Sequence, residues 1–372
     1  MNYAGSFYQL FCTITRYSID RFSYTFERRV LSIGHWLGAN GQWTTANGQQ
    51  YNVVQDRINN LCDALQSSIF ASNPSAHPTL NPMFFDLPPA ILHQCREILG
   101  SGITTVSFIG GGDINQARLL ETTQGKYFIK FNTGADAGSM FETEAKGLAL
   151  IATTNVIRTP GVLGFGQTED GAFILLEFVE KGYRGEGFWE KFGASLAALH
   201  RQTSSQFGLG YDNFIGSLPQ SNRSAPTWPE FFIHERLQPQ LTLAAQNNRL
   251  QKSDFQRFEK IFEKVPSICP AEPPALVHGD LWSGNFIVGV DNLPVLVDPS
   301  VAWSHREMDL AMSRLFGGFE RPFYRSYEDA FPLAPGFEER LPLYQLYYLL
   351  VHVNLFGGGY VGSVRSILQQ FV

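Results

Sequence analysis

Asp280, Asn285 and Asp298 stand in one stretch, residues 276–298 (LVHGDLWSGNFIVGVDNLPVLVD), and their types suit one chemistry. A positioned carboxylate can take the proton of an attacking hydroxyl. An amide oxygen and a second carboxylate can hold magnesium, a hard cation that takes oxygen ligands. The pattern around them reads as an apolar pair, Leu276 and Val277, leading into a polar loop. A hairpin with its turn at residues 289–294 follows, and its second apolar run ends on Asp298. The plain alternative is a polar hairpin with ordinary Asp and Asn turn formers. A carboxylate set at the strand end, after the loop, argues against that.

Such a base needs something to hold the phosphates it works on, and the upstream residues offer it. Gly110, Gly111 and Gly112 form a turn between extended segments at 101–109 and 116–121, and Lys130 lies on a third at 126–131. Backbone N–H groups of such a turn can cover phosphates while the lysine reaches them, the arrangement of kinases. Alone, a glycine β-turn with a surface lysine would be the better reading. A helix is expected over 139–152, carrying Glu142 and Glu144. Glu144 is chosen as partner of Lys130 because Leu148 and Ile151 follow at helical spacing. Glu142 is expected to be a solvated helix-start acid. The apolar run 172–179 predicts a buried strand leading to a hinge, where backbone groups at Glu177, Phe178 and Val179 would meet an adenine edge. Asp280 and Asn285 are five apart, the spacing of Asp and Asn in a kinase catalytic loop. No Gly-x-x-x-x-Gly-Lys-Ser/Thr loop occurs, and Gly164-x-Gly166 lacks the third glycine of a dinucleotide fingerprint.

The remaining elements frame these. Helices are expected over 88–99, 187–201, 228–245 and 253–265, and through an aromatic-rich tail from residue 310. His200 is read as a helix-end residue capping carbonyls. Ten residues separate Asp298 from Asp309, too few for a phosphorylated activation segment, and Asp309 is expected to bond back to the catalytic loop.

Composition narrows the function class. The chain has 372 residues with 44% hydrophobic and 17% charged, enough to bury a core, and a net charge of -6. That charge argues against a nucleic-acid binder relying on a general positive field. Cys12, Cys62, Cys95 and Cys269 show neither zinc spacing nor a disulfide framework, which suits a reducing cytoplasmic setting. No apolar run reaches a membrane span. Residues 1–82 contain no lysine and little periodicity beyond a helix expected over 52–70. Arg and Ser content would suit a targeting peptide, while Asp20 and Glu27 argue against one. The favoured expectation is a poorly ordered extension, with Met83 as the true start.

Taken together the residues resemble the fructosamine kinase (ketosamine-3-kinase) family, within the aminoglycoside phosphotransferase and protein-kinase-like group. The segments that carry the resemblance are 110–117, 128–132, 140–145, 175–178, 199–201, 213–216, 278–285 and 305–311. The tail segments PGFEERLPLY at 335–344 and HVNLFG at 352–357 are the most family-specific. The resemblance covers the chain from about Phe84 to its end. It implies an α+β, two-lobed protein-kinase-like fold. Residues 83–179 would form a small antiparallel sheet lobe with one key helix, and 180–372 a larger, mainly helical lobe. It implies ATP and Mg²⁺ as cofactors and phosphorylation of the sugar 3-hydroxyl of ketosamines, free or on glycated protein, leading to deglycation. Asp280 would be the base, Asn285 and Asp298 the metal ligands, Lys130 the phosphate ligand and Glu144 its partner. Trp282 would offer an aromatic wall to the substrate. Asp113 stands where some members carry a cysteine, so a redox-linked dimer is not expected; a monomer is. The alternatives are another small-molecule kinase of this fold, acting on an aminoglycoside or choline, and a non-catalytic binding module. The tail motif argues against the first, and the presence of every catalytic group against the second.

Overall fold

The computed structural model describes residues 87–110 and 115–372. The extension 1–82 with its expected helix, and Gly111, Gly112 and Asp113 of the glycine turn, lie outside the described residues.

The smaller lobe is built on a five-stranded antiparallel sheet ordered β1-β2-β3-β5-β4. Its strands are β1 (Ile103–Phe108), β2 (Gln116–Thr122), β3 (Lys126–Asn132), β4 (Val162–Thr168) and β5 (Gly171–Glu177). Helix α1 (Pro89–Leu99) starts on a proline and ends at Gly100, whose left-handed φ of 58° stops it. It packs Ile91, Leu92, Cys95 and Leu99 onto one face of the sheet, against Ile129, Phe131, Phe173 and Leu175. Helix α2 (Ala137–Thr153) covers the other face, with Phe141, Ala145 and Leu148 against Ala172, Ile174 and Leu176. Strand β5 is therefore buried on both sides, which is why its sequence is a continuous apolar run rather than an alternation. Strand β3 does alternate. Ile129 and Phe131 face α1, so Lys130 between them points toward α2.

The larger lobe is mainly helical. Helix α3 (Phe188–His200) packs against β8 (Ala275–Val277), which pairs with β11 (Ala302–Ser304). Between them in sequence come the short pair β6 (Asn213–Ile215) and β7 (Leu218–Gln220). Helix α4 (Trp228–Phe231) runs on through a π-helical stretch, Phe232–Leu237, into α5 (Gln238–Gln246), and α6 (Lys252–Ile268) follows. The hairpin of β9 (Phe286–Val288) and β10 (Pro294–Leu296) turns at Asn292, which adopts a left-handed φ of 59°. The tail forms α7 (Glu307–Leu315), α8 (Arg321–Ala330), α9 (Phe337–Phe356) and α10 (Val361–Phe371). One apolar core joins these helices, with Tyr344, Tyr347, Tyr348, Phe323 and Tyr327 among its largest fully buried side chains. No helix among the described residues is long and apolar enough to cross a membrane.

Two local expectations are corrected. Helix α2 begins at Ala137 rather than Ser139, so Glu142 is not in its first turn; it bonds Lys146 at 2.7 Å, an i,i+4 pair. His200 caps no carbonyls. It is buried between Tyr327 Oη at 2.8 Å and Asp309 Oδ2 at 3.1 Å, because α8 and α7 close over the end of α3.

Candidate active site

Lys130 is the meeting point of the two lobes. Its Nζ lies 2.8 Å from Glu144 Oε1 and also donates to Asp298 Oδ1. Glu144 reaches it because Phe141 and Leu148, three before and four after, face the sheet and turn that side of α2 inward. Burial opposes the ammonium charge, but Asp298 and Glu144 outweigh it and hold Lys130 protonated. Lys130 and Glu144 side chains are 10% and 13% exposed, whereas Asp298 is 45% exposed and turned to the cleft.

The loop at 278–285 is fixed mostly through its backbone. Asp309, in the first turn of α7, accepts the N–H groups of His278 at 2.7 Å and Gly279 at 2.8 Å. His278 is buried, and its Nδ1 accepts the Asp280 N–H at 3.3 Å. Its Nε2 then carries the proton and donates to Val297 O at 2.9 Å, tying the loop to the residue before Asp298. Burial lowers the His278 pKa, consistent with this neutral form. Gly279 has φ 86°, and a Cβ there would stand 1.9 Å from Ser300 O, so no other residue fits. Asp298 itself adopts φ 55°, a left-handed conformation costing a non-glycine residue about 1–2 kcal/mol.

Asn285 donates its amide nitrogen to both Asp280 O and Asp280 Oδ2 at 2.9 Å. The amide oxygen therefore points away from Asp280, without a hydrogen-bond donor among the described residues. That oxygen and the exposed carboxylate of Asp298 are the donor types magnesium takes. Burial pushes the Asp280 carboxyl up to about 7; the Asn285 amide opposes this, and Asp298 and Asp309 add to it. A carboxyl that exchanges its proton near neutral pH suits a general base.

Trp282 is 39% exposed, and its ring lies flat over Gly284. A Cβ on Gly284 would stand 2.3 Å from that ring. The neighbouring Ser283 is covered by the linker between α7 and α8: a Cβ on Gly318 would stand 2.4 Å from Ser283 Cβ. Just before it in that linker, Phe316 packs on His352 at 4.7 Å, with Phe356 and Tyr360 completing a half-exposed aromatic group. Sequence reading missed Gly284 and Gly318, which lie against Trp282 and Ser283. HVNLFG was visible as a motif, but nothing in the sequence tied it to the linker between α7 and α8.

At the hinge the expected backbone contacts narrow. The Glu177 N–H is spent on Gly161 O at 2.8 Å, and the Glu177 carboxylate on Arg158 and the Gly161 N–H. Phe178 is half-buried and Val179 buried. The Val179 N–H finds no acceptor among the described residues, so the Glu177 carbonyl and the Val179 N–H remain for a ligand edge. Gly110 is at the described edge of the glycine turn.

The fold agrees with known proteins. The family model for fructosamine kinase matches residues 88–372. The chain is 41% identical over 263 residues to a probable ketoamine kinase of Enterococcus faecium, covering 70% of this chain and 93% of that one. It is 40% identical over 275 residues to a chloroplastic protein-ribulosamine 3-kinase of Oryza sativa subsp. indica, covering 73% and 79%. A crystal structure of a candidate fructosamine-3-kinase from Thermobifida fusca superposes with TM-score 0.68 at 32% identity, covering 75% of this chain and 97% of that one. On this match, which spans both lobes and the loop at 278–285, the chain belongs to the fructosamine kinase family.

Proposed function

We propose that the protein is an ATP-dependent kinase that phosphorylates the sugar 3-hydroxyl of ketosamines, ribulosamine or fructosamine adducts on lysine or protein, and so starts their removal. The observation that carries this reading is the convergence of Lys130, Glu144 and Asp298 from both lobes, beside an Asp280 oriented by Asn285. The protein-ribulosamine 3-kinase name of the rice relative supports the acceptor class.

In this reading Asp280 accepts the acceptor hydroxyl proton as that oxygen bonds to the terminal phosphorus and the bond to ADP breaks. Lys130, held by Glu144, meets phosphate oxygens, and the turn at Gly110, Gly111 and Gly112 covers them. The Glu177 carbonyl and Val179 N–H pair with the adenine edge, with Phe178 between them. Asn285 Oδ1 and Asp298 would hold Mg²⁺, which when bound neutralises charge developing on the phosphates. Trp282 offers an apolar face to the sugar. The protein acts in this reading as a cytoplasmic monomer.

ATP turnover measured side by side with ribuloselysine, fructoselysine and an aminoglycoside tests it. Turnover of either ketosamine is expected. Turnover of the aminoglycoside alone would reject the proposal.

A further inference from the structure

A cleft of about 480 Å³ opens between the end of α7, helix α8 and the start of α9, lined by Arg314, Arg321, Tyr324, Arg325 and Glu338. Arg314 is committed. Its Nη1 donates to both oxygens of Glu338 at 2.7 and 2.6 Å, and the guanidinium lies over Tyr324 at 4.6 Å. Arg321 and Arg325, four apart on α8, are exposed, and neither has a carboxylate partner among the described residues. Like charges at this spacing repel, and cations near a helix N-terminus oppose its dipole. The first turn of α8 carries no acidic residue to compensate. Glu320, at its N-cap, makes no capping bond and pairs with Arg184 at 3.6 Å instead. The result is two exposed arginines without an ion pair among the described residues on the first half of α8, in a chain whose net charge is -6, while the acids of that helix, Glu328 and Asp329, lie further along it.

The cleft also begins close to the catalytic loop. Gly318, packed on Ser283, is three residues before Arg321. Three residues of chain span at most about 10 Å. We propose that the arginine end of this cleft docks acidic side chains flanking the modified lysine of a polypeptide acceptor, an inference that rests on the ketosamine reading above. Arginine forks match carboxylates, and an extended peptide would bring an acid about three to five residues from the modified lysine to Arg321 and Arg325. An adjoining cleft shares Arg314 and Arg325 with this one and carries Glu328 and Glu339; it is not part of the docking site.

The test compares synthetic peptides carrying one ribulosyl-lysine, with Asp and Glu or with Asn and Gln at those flanking positions, and free ribuloselysine. Each is assayed with the wild-type chain and with Arg321→Gln/Arg325→Gln. The wild type should show a KM about five- to tenfold lower for the acidic-flanked peptide, the gap closing as salt is raised. The double variant should lose that preference while its kcat/KM for free ribuloselysine stays within about twofold, which also reports that it is folded. Equal KM values in the wild type, or a preference that survives in the variant, would overturn the docking proposal. Failure of the wild type to turn over free ribuloselysine would instead overturn the ketosamine reading and the docking with it.

Discussion

Two groups of charged residues, one in the helical scaffold and one in the cleft between the lobes, are built to opposite ends. In the scaffold, Arg340 forks onto Glu307 at 2.7 and 2.5 Å and gives further protons to Pro335 O and Ala334 O. Arg306 forks onto Glu272 at 2.7 and 2.8 Å, bonds Phe331 O and Pro332 O, and lies 3.8 Å over the Phe331 ring. Each carboxylate there has its own guanidinium, and the guanidinium's spare donors find carbonyls. In the cleft, Lys130 alone serves both Glu144 and Asp298, Asp280 has only an amide, and Asp298 stands open to solvent. The residue types are alike. What differs is saturation: a closed charge set holds helices together, whereas surplus negative charge in a cleft invites a cation and a proton.

The comparison is broken most sharply at Asp280. Asp280→Asn should lower kcat by about 10²–10⁴-fold with nucleotide affinity little changed, as steady-state kinetics and nucleotide titration would show. Near-normal turnover would remove the base assignment. In the scaffold the cost should appear as stability instead. Arg340→Leu strands the fully buried Glu307 and should cost about 3–5 kcal/mol in denaturant unfolding. Adding Glu307→Leu should return much of that loss; a double variant as weak as the single would contradict the saturation argument.

Gly284 sharpens the cleft side. A methyl group added there must displace the Trp282 ring, since the two would overlap. Gly284→Ala should raise the acceptor KM by a factor corresponding to about 1–2 kcal/mol, with the nucleotide KM unchanged. In a Trp282→Ala background the same change should cost nothing more, and an additive loss would show that Gly284 acts by some other route.

The smallest effect is expected at Asp254, another saturated pair. Burial works against its charge, but Arg365 at 2.8 Å and the Gln251 N–H at 2.9 Å outweigh it and hold the carboxyl below its ordinary value. A depressed carboxyl stabilises the fold above its unfolded pKa of about 4 and loses that contribution as pH falls through the folded value. The Tm gap between wild type and Asp254→Asn should therefore hold above about pH 5 and narrow below about pH 4. A gap independent of pH would mean the pairing adds nothing.

The placement of the cleft residues was legible in the sequence where it depended on local pattern. The extended pattern at 126–131 put Lys130 on a strand, the helical spacing of Leu148 chose Glu144 over Glu142, and the loop-hairpin order placed Asp280, Asn285 and Asp298. These follow from periods of two and 3.6 residues, which any stretch of chain carries within itself. The scaffold was far less legible. That Asp309 would turn back on the catalytic loop was expected, yet His200 was read as a cap although it completes that same network.

The rest required the folded chain. The sequence alone determined the lobes, the residue types of the site and their order. Only tertiary structure decided that Lys130 would be shared by Glu144 and Asp298, that Trp282 would lie on Gly284, and that Gly318 would seat a distant linker on Ser283. Contacts of this kind depend on which backbone approaches which, and close approach between remote segments leaves no period in the sequence to read.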